Sequence, residues 1–162
     1  MTVSARISSG TEVLMLRKDV ERILISEEEL DRTVTRLAEE IDRDYSRPDK
    51  RLVLICILKG SITFMGDLMK KLHVPVEIDC MKVSSYGMGT TTGGLVKIIL
   101  DVDRPDITTC DFLVIEDIID SGNTLSYLTG YLKHKGARSV KPVRFWTSPR
   151  AVWLSSRPIT WV

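Results

Sequence analysis

Phe112-Leu-Val-Ile-Glu-Asp-Ile-Ile-Asp-Ser-Gly-Asn-Thr-Leu125 is the stretch on which the reading of this chain turns. It opens as an apolar run of the kind that forms a buried strand. It then presents three carboxylates, Glu116, Asp117 and Asp120, and closes on Ser121-Gly122-Asn123-Thr124 ahead of a helical pattern. Backbone N–H groups and hydroxyls at a helix start suit a dianionic phosphate, and the helix dipole favours one there. Gly122 lets the backbone come close without a Cβ in the way. Acids so near a phosphate site repel the phosphate unless they bind something else, and sugar hydroxyls and Mg²⁺ are the candidates. The stretch therefore fits a ribose 5-phosphate. The phosphate lies on Ser121 to Thr124, the ribose diol on Glu116 and Asp117, and Asp120 faces the reacting base. Two acids at a strand end also occur in receiver-type signalling domains, and Asp120-Ser121 could simply cap the helix.

Working outward, strands alternate with helices. Val20 to Ile25 reads as a short strand, and Ser26 and Glu29 stand at capping-box spacing before an amphipathic helix over residues 27–45. Leu52 to Leu58 is apolar on both faces, as a central parallel strand is, and ends in Lys59-Gly60-Ser61. Ile62 to Leu72 is helical in pattern, Val74 to Val83 a strand, Ser84 to Gly94 a long glycine-rich loop, and Leu95 to Leu100 a strand. Thr124 to Lys135 forms a helix that Gly136 terminates, and Ser139 to Val143 begins another strand. The pattern implies an α/β fold with a mostly parallel twisted sheet flanked by helices. No internal repeat is present.

With 162 residues the chain suits one domain with a full core. A net charge of +1 gives no bulk electrostatic reason to expect a nucleic-acid or membrane-surface partner. No apolar run approaches the roughly 20 residues that span a bilayer, and no secretory signal is evident, so a cytoplasmic location is expected. Cys56, Cys80 and Cys110 are odd in number and scattered, which suggests reduced core thiols. They have no zinc spacing. His73 and His134 sit near helix ends, where neither sets up a Ser-His or Cys-His pair.

The run Val114 to Leu125 resembles the phosphoribosyl-diphosphate signature of the purine phosphoribosyltransferases, and most of all the bacterial hypoxanthine-guanine enzymes. Ile25 to Leu30, Leu58-Lys59-Gly60, Pro75 to Asp79, Val83 to Gly87 and Gly136 to Val140 follow in that family's order, so the resemblance runs from Asp19 to Pro142. It implies a type I phosphoribosyltransferase fold over residues 19–143, after an extension of residues 1–18. By resemblance, Lys59 and Gly60 form the diphosphate loop, with a cis peptide before the lysine. Ser85 and Tyr86 belong to the lid over the reacting centre. Glu116 and Asp117 hold the ribose and the metal, and Asp120 is the catalytic base at the purine N7. Ser121 replaces the family's commoner threonine and keeps the hydroxyl. The implied reaction moves the phosphoribosyl group of phosphoribosyl diphosphate to hypoxanthine or guanine with Mg²⁺. Members of the family are commonly homo-oligomers, dimers or tetramers. The other reading within the same fold is a non-catalytic regulator that senses phosphoribosyl diphosphate or nucleotides. A regulator acting on RNA or DNA should carry a basic face, which the near-neutral charge does not support.

Residues 144–162 break the resemblance. The family continues with Leu-Asp-Lys-Pro and then Asp-Tyr-Val-Gly-Phe, which hold the lysine and aromatic that contact the purine and a later metal-binding aspartate. Here the chain reads Arg144-Phe-Trp-Thr-Ser-Pro-Arg-Ala-Val-Trp-Leu-Ser-Ser-Arg-Pro-Ile-Thr-Trp-Val162, with all three tryptophans and no acid. The genetic code accounts for the difference. Read from the third base of each codon, Phe145-Trp146-Thr147 must encode Leu-Asp, whatever synonyms are used. The codons that follow permit Lys-Pro-Thr-Arg-Arg-Val-Val-Glu-Leu-Lys-Ala-Asp-Tyr-Val-Gly. Residues 144–162 are therefore expected to be an aberrant, frame-shifted tail. The fold would be incomplete at its C-terminus, with poor stability and an exposed sheet edge.

Overall fold

The computed structural model describes residues 25–49, 51–86, 95–119 and 122–147. The chain parts into two compact units, Met1–Arg32 and Thr33–Val162. The elements are α1 (Glu27–Tyr45), β1 (Leu52–Leu58), α2 (Ile62–Met69), β2 (Val76–Tyr86), β3 (Leu95–Leu100), a 3-10 turn (Ile107–Thr109), β4 (Asp111–Ile119), α3 (Asn123–His134) and β5 (Ser139–Thr147). The residues expected to form the extension 1–18 and most of the strand at Val20 to Ile25 lie outside the described part.

Helix α1 begins where its cap predicts. The Ser26 amide donates to Glu29 Oε2 at 3.0 Å and the Glu29 amide to Ser26 Oγ at 3.2 Å, the reciprocal pair of a capping box. Glu27, Glu28 and Glu29 in the first turn complement the helix dipole. From Val34 on, the buried residues are Val34, Leu37, Ala38, Ile41 and Tyr45, one stripe at helical spacing.

Among the described residues the sheet has five strands in the order β3-β2-β1-β4-β5. β1 pairs in parallel with β2 and β4, and β5 in parallel with β4, whereas β3 runs antiparallel to β2. Alternation sorts the central strands into two cores. Val53, Ile55, Ile57, Phe112 and Val114 pack with Leu125, Leu128 and Leu132 of α3. Leu52, Leu54, Cys56, Leu113 and Ile115 pack with residues of α1 and α2, including Ile41, Phe64, Met65 and Leu68. Both faces of β1 and β4 are thus covered, which explains their unbroken apolar runs.

Several boundaries differ from the sequence reading by a residue or more, and three of the differences are informative. α2 ends at Met69 rather than Leu72, because the following backbone has another partner. The Asp42 carboxylate on α1 accepts the amides of His73, at 2.9 Å, and Val74, at 3.0 Å. β2 continues to Tyr86 and takes in Ser84 and Ser85, which pair with Lys97 and Val96 of β3. An antiparallel neighbour satisfies this polar backbone, so residues that read as loop become strand. β5 extends to Thr147, pairing Arg144 with Glu116 and Thr147 with Ile119. Backbone pairing of this kind is open to any non-proline side chain, so it says nothing about the reading frame. Within the described edge strand Val140 and Val143 are buried. All three cysteines are free thiols, as expected.

Candidate active site

The chain passes from β1 to β2 and β3 on one side of the sheet, then crosses to β4 and β5 on the other. The topological switch point therefore lies between β1 and β4, where open α/β sheets bind ligands beyond their carboxyl ends. The two segments that reach this crevice are Lys59-Gly60 after β1 and Glu116-Asp117 near the end of β4.

The loop after β1 is built tightly. The Leu58–Lys59 peptide is cis, the geometry the resemblance implied. Ser61 is fully buried, its hydroxyl donating to the Ile57 carbonyl at 2.8 Å and lying 3.3 Å from Cys56 Sγ. Its carbonyl accepts the Met65 amide at 2.8 Å and starts α2. Ser61 thus folds the loop back on its own strand while Lys59 and Gly60 stay exposed. Sequence reasoning passed over Ser61. A serine directly after the glycine and before a helical pattern was the available signal.

On β4, alternation assigns Glu116 to the α3 side and Asp117 to the α2 side, yet the two carboxyls still interact. Burial, then the charge of Asp117 and a hydrogen bond with it, push the Glu116 carboxyl up to about 7. Asp117 Oδ1 accepts the Ile118 amide at 2.9 Å. It also fills the space beside Gly60, where a Cβ would lie 3.0 Å from each of its oxygens. The loop after β1 and the acids of β4, read separately from sequence, therefore meet in space.

Past β4, Gly122 has φ 77°, a left-handed conformation that glycine takes without cost, and heads α3. Its carbonyl accepts the Ser126 amide at 2.9 Å. Asn123 and Thr124 occupy the first turn of α3, as a phosphate cradle at a helix start requires. Asp120 and Ser121 lie outside the described residues. Ser85 and Tyr86, expected in a lid, are in β2, with their backbones paired to Val96 and Leu95.

Residues 21–156 match the phosphoribosyl transferase domain family. The hypoxanthine-guanine phosphoribosyltransferase of Bacillus subtilis is 44% identical over 135 residues, 83% of this chain and 73% of the relative. That of Streptococcus pyogenes is 42% identical over the same shares. The chain belongs to the hypoxanthine-guanine phosphoribosyltransferase family. Among solved structures, a hypoxanthine phosphoribosyltransferase of Staphylococcus aureus superposes with a TM-score of 0.77 at 34% identity, covering 88% of this chain and 77% of that one. A hypoxanthine-guanine phosphoribosyltransferase of Bacillus anthracis gives 0.74 at 36% identity, covering 85% and 80%. The fold expected from sequence, a mostly parallel sheet flanked by helices, is the type I fold of this family. The relatives are enzymes of phosphoribosyl transfer in purine salvage, and a regulatory reading is not favoured beside them.

Among the described residues no group of three or more His, Cys, Asp or Glu side chains could hold a metal by itself. Glu116 and Asp117 suit a different arrangement. Mg²⁺ is commonly held by one or two carboxylates together with substrate phosphates. Two interacting carboxyls, one pushed up to about 7, form a donor pair that a cation would relieve. No described helix is long and apolar enough to cross a membrane.

Proposed function

We propose that the chain binds phosphoribosyl diphosphate, with Mg²⁺, at the β1/β4 crevice and serves transfer of the phosphoribosyl group to hypoxanthine or guanine, giving IMP or GMP and diphosphate. The observation that carries this is the meeting of Gly60 with Asp117 at the switch point, beside the perturbed Glu116. Lys59 and Gly60 take the diphosphate, Glu116 and Asp117 the ribose diol and the metal, and Ser121 to Thr124 the 5-phosphate. Asp120 accepts the purine proton as the base nitrogen attacks C1 of the ribose and diphosphate leaves. Mg²⁺ would neutralise charge on the departing diphosphate. Ser85 and Tyr86 would help to exclude water from the activated sugar. The reading places the protein in a cytoplasm, as a homo-oligomer like intact members of the family.

Residues 144–162 limit what this polypeptide can do. We propose that they are an out-of-frame product. The sugar-phosphate half of the site is then intact and the purine half is missing its lysine and stacking ring. Two measurements separate the claims. Calorimetry with phosphoribosyl diphosphate and Mg²⁺ should show binding to this chain, and its absence would refute the proposed function. Formation of IMP from hypoxanthine should be weak here and restored in a chain whose codons after Val143 are read one base out of frame. Full turnover by the chain as it stands, or a nucleotide sequence whose third-base frame does not encode Leu-Asp-Lys-Pro, would refute the tail assignment.

A further inference from the structure

We propose that Gly60 is a positioning residue, the seat against which the Asp117 carboxylate is held, and that this contact sets the spacing between the diphosphate loop and the ribose carboxylates. The inference rests on the proposed phosphoribosyl diphosphate site and adds a role to it.

A glycine in a turn is usually explained by its backbone. Among the described residues, positive φ occurs at Gly122 and Gly136 and at no other glycine. Gly60 has a backbone open to any L-residue, so conformation does not call for glycine there. Space does. A Cβ on Gly60 would lie 3.0 Å from Asp117 Oδ1, 3.0 Å from Oδ2 and 3.3 Å from Cγ, with the whole carboxylate laid against the position of the methyl. At Gly66 and Gly130 the same added atom would meet nothing within 4 Å. At Gly136 it would meet one methyl, Thr108 Cγ2, at 3.3 Å, so among these described glycines the contact with a carboxylate belongs to Gly60.

Asp117 is held from the other side as well, since its Oδ1 accepts the Ile118 amide at 2.9 Å. The carboxylate lies between its own strand and the Gly60 α-carbon. The last paired residues of β1 and β4 are Cys56 and Ile115, two positions before Leu58 and Asp117. Beyond that pair the strands part, and the Gly60–Asp117 approach spans the gap. A methyl at residue 60 would displace the tip of a short side chain, by a few tenths of an ångström, rather than backbone or core. The penalty falls on the geometry of the site, not on the fold. Alanine would even restrict the unfolded chain and tend to stabilise the protein.

The test is a double-mutant cycle with two readouts, on the wild type, Gly60→Ala, Asp117→Ala and the double variant. By calorimetry with phosphoribosyl diphosphate and Mg²⁺, Gly60→Ala should weaken binding about three- to tenfold, in the range that sub-ångström misplacement of a binding group produces. Its thermal midpoint should stay within about 2 °C of the wild type or rise. In the Asp117→Ala background, where the methyl has room, the same substitution should cost less than about twofold. Without ligand, the Ile118 amide resonance should shift and exchange faster in Gly60→Ala, in the direction seen in Asp117→Ala. Equal losses in both backgrounds would show the methyl acting on the loop itself and would overturn the proposal. So would an Ile118 amide unmoved in Gly60→Ala. If the wild type binds no phosphoribosyl diphosphate, the proposed function fails, and the amide measurement still decides the role of Gly60.

Discussion

The two ends of β4 carry the same chemistry under opposite rules. At its start, Asp111 is 2% exposed and fully engaged. Arg138 donates from Nη2 to Oδ2 at 2.6 Å and from Nε to Oδ1 at 3.0 Å, and the Ser139 hydroxyl adds a bond of 2.6 Å to Oδ1. The neighbouring strand starts follow suit. Glu77 accepts from Arg51 and Arg104, and Asp106 from Arg104, with Arg51 also paired to it. Near its other end, Glu116 and Asp117 have each other for company and Glu116 is pushed up to about 7. Charges at the amino ends of these strands are neutralised by neighbours, whereas near the carboxyl end of β4 burial and the charge of Asp117 oppose the ionisation of Glu116. The contrast separates acids that hold the fold from the acids proposed to meet substrate.

The sharpest way to break this contrast is to strip a partner from the satisfied end. Arg138→Ala takes the guanidinium away from the buried Asp111 carboxylate and should cost about 3 kcal/mol of stability, read by urea unfolding at pH 7. A loss below about 1 kcal/mol would mean that solvent takes over the role of Arg138 and that the two ends do not differ as described.

Relief of the strained end should work the other way. The folded Glu116 carboxyl has its pKa raised above the ordinary 4.5, so its ionisation costs folding free energy as pH rises from there through about 7. Glu116→Gln removes that cost. It should raise stability by about 2 kcal/mol at pH 8, after allowance for solvent screening, and leave it unchanged at pH 4. Calorimetric melts at the two pH values check this. The same variant should bind phosphoribosyl diphosphate more weakly, so that stability and function move apart at a single residue.

Asp42 sharpens the picture of the satisfied acids. Burial raises its carboxyl, but the amides of Val74 and His73 and the His73 ring outweigh this and hold it below 3.8. A depressed carboxylate stabilises the fold above its unfolded pKa, and that contribution is lost as pH falls through the folded value. Asp42→Asn should cost about 1 kcal/mol at pH 7 and progressively less below pH 4. A pH-independent loss would assign the effect to packing instead.

The smallest expected effects come from glycines with no neighbour to crowd. Gly66→Ala in α2 and Gly130→Ala in α3 should each stabilise by about 0.5–1 kcal/mol with ligand binding unchanged. They are the natural controls for Gly60→Ala, which shares their chemistry and differs in what occupies the space.

Much of the molecule was legible in the chain. The capping box at Ser26 and Glu29, the doubly apolar runs of β1 and β4, and the acids before Gly122 each depend on neighbours a few residues apart, which a linear reading can see. The boundaries that failed depend on partners beyond the reach of a local pattern. α2 stops early where Asp42 engages the backbone of His73 and Val74, some thirty residues away. Ser84 to Tyr86 joins β2 because β3 pairs with it. The proposed out-of-frame reading of residues 144–162 rests on codons, which no fold can report.

The sequence by itself determined that an apolar strand would deliver acids to a glycine-headed helix, because hydrophobic alternation and helix-start chemistry are local. Only the tertiary structure decided that Asp117 would lie in the space Gly60 leaves open. It also decided that Glu116 would be pushed up to about 7 while Asp111, on the same strand, is satisfied by Arg138 and Ser139. These outcomes follow from which strands lie side by side and where they part, a long-range pairing that fixes distances between residues far apart in the chain and that no local pattern encodes.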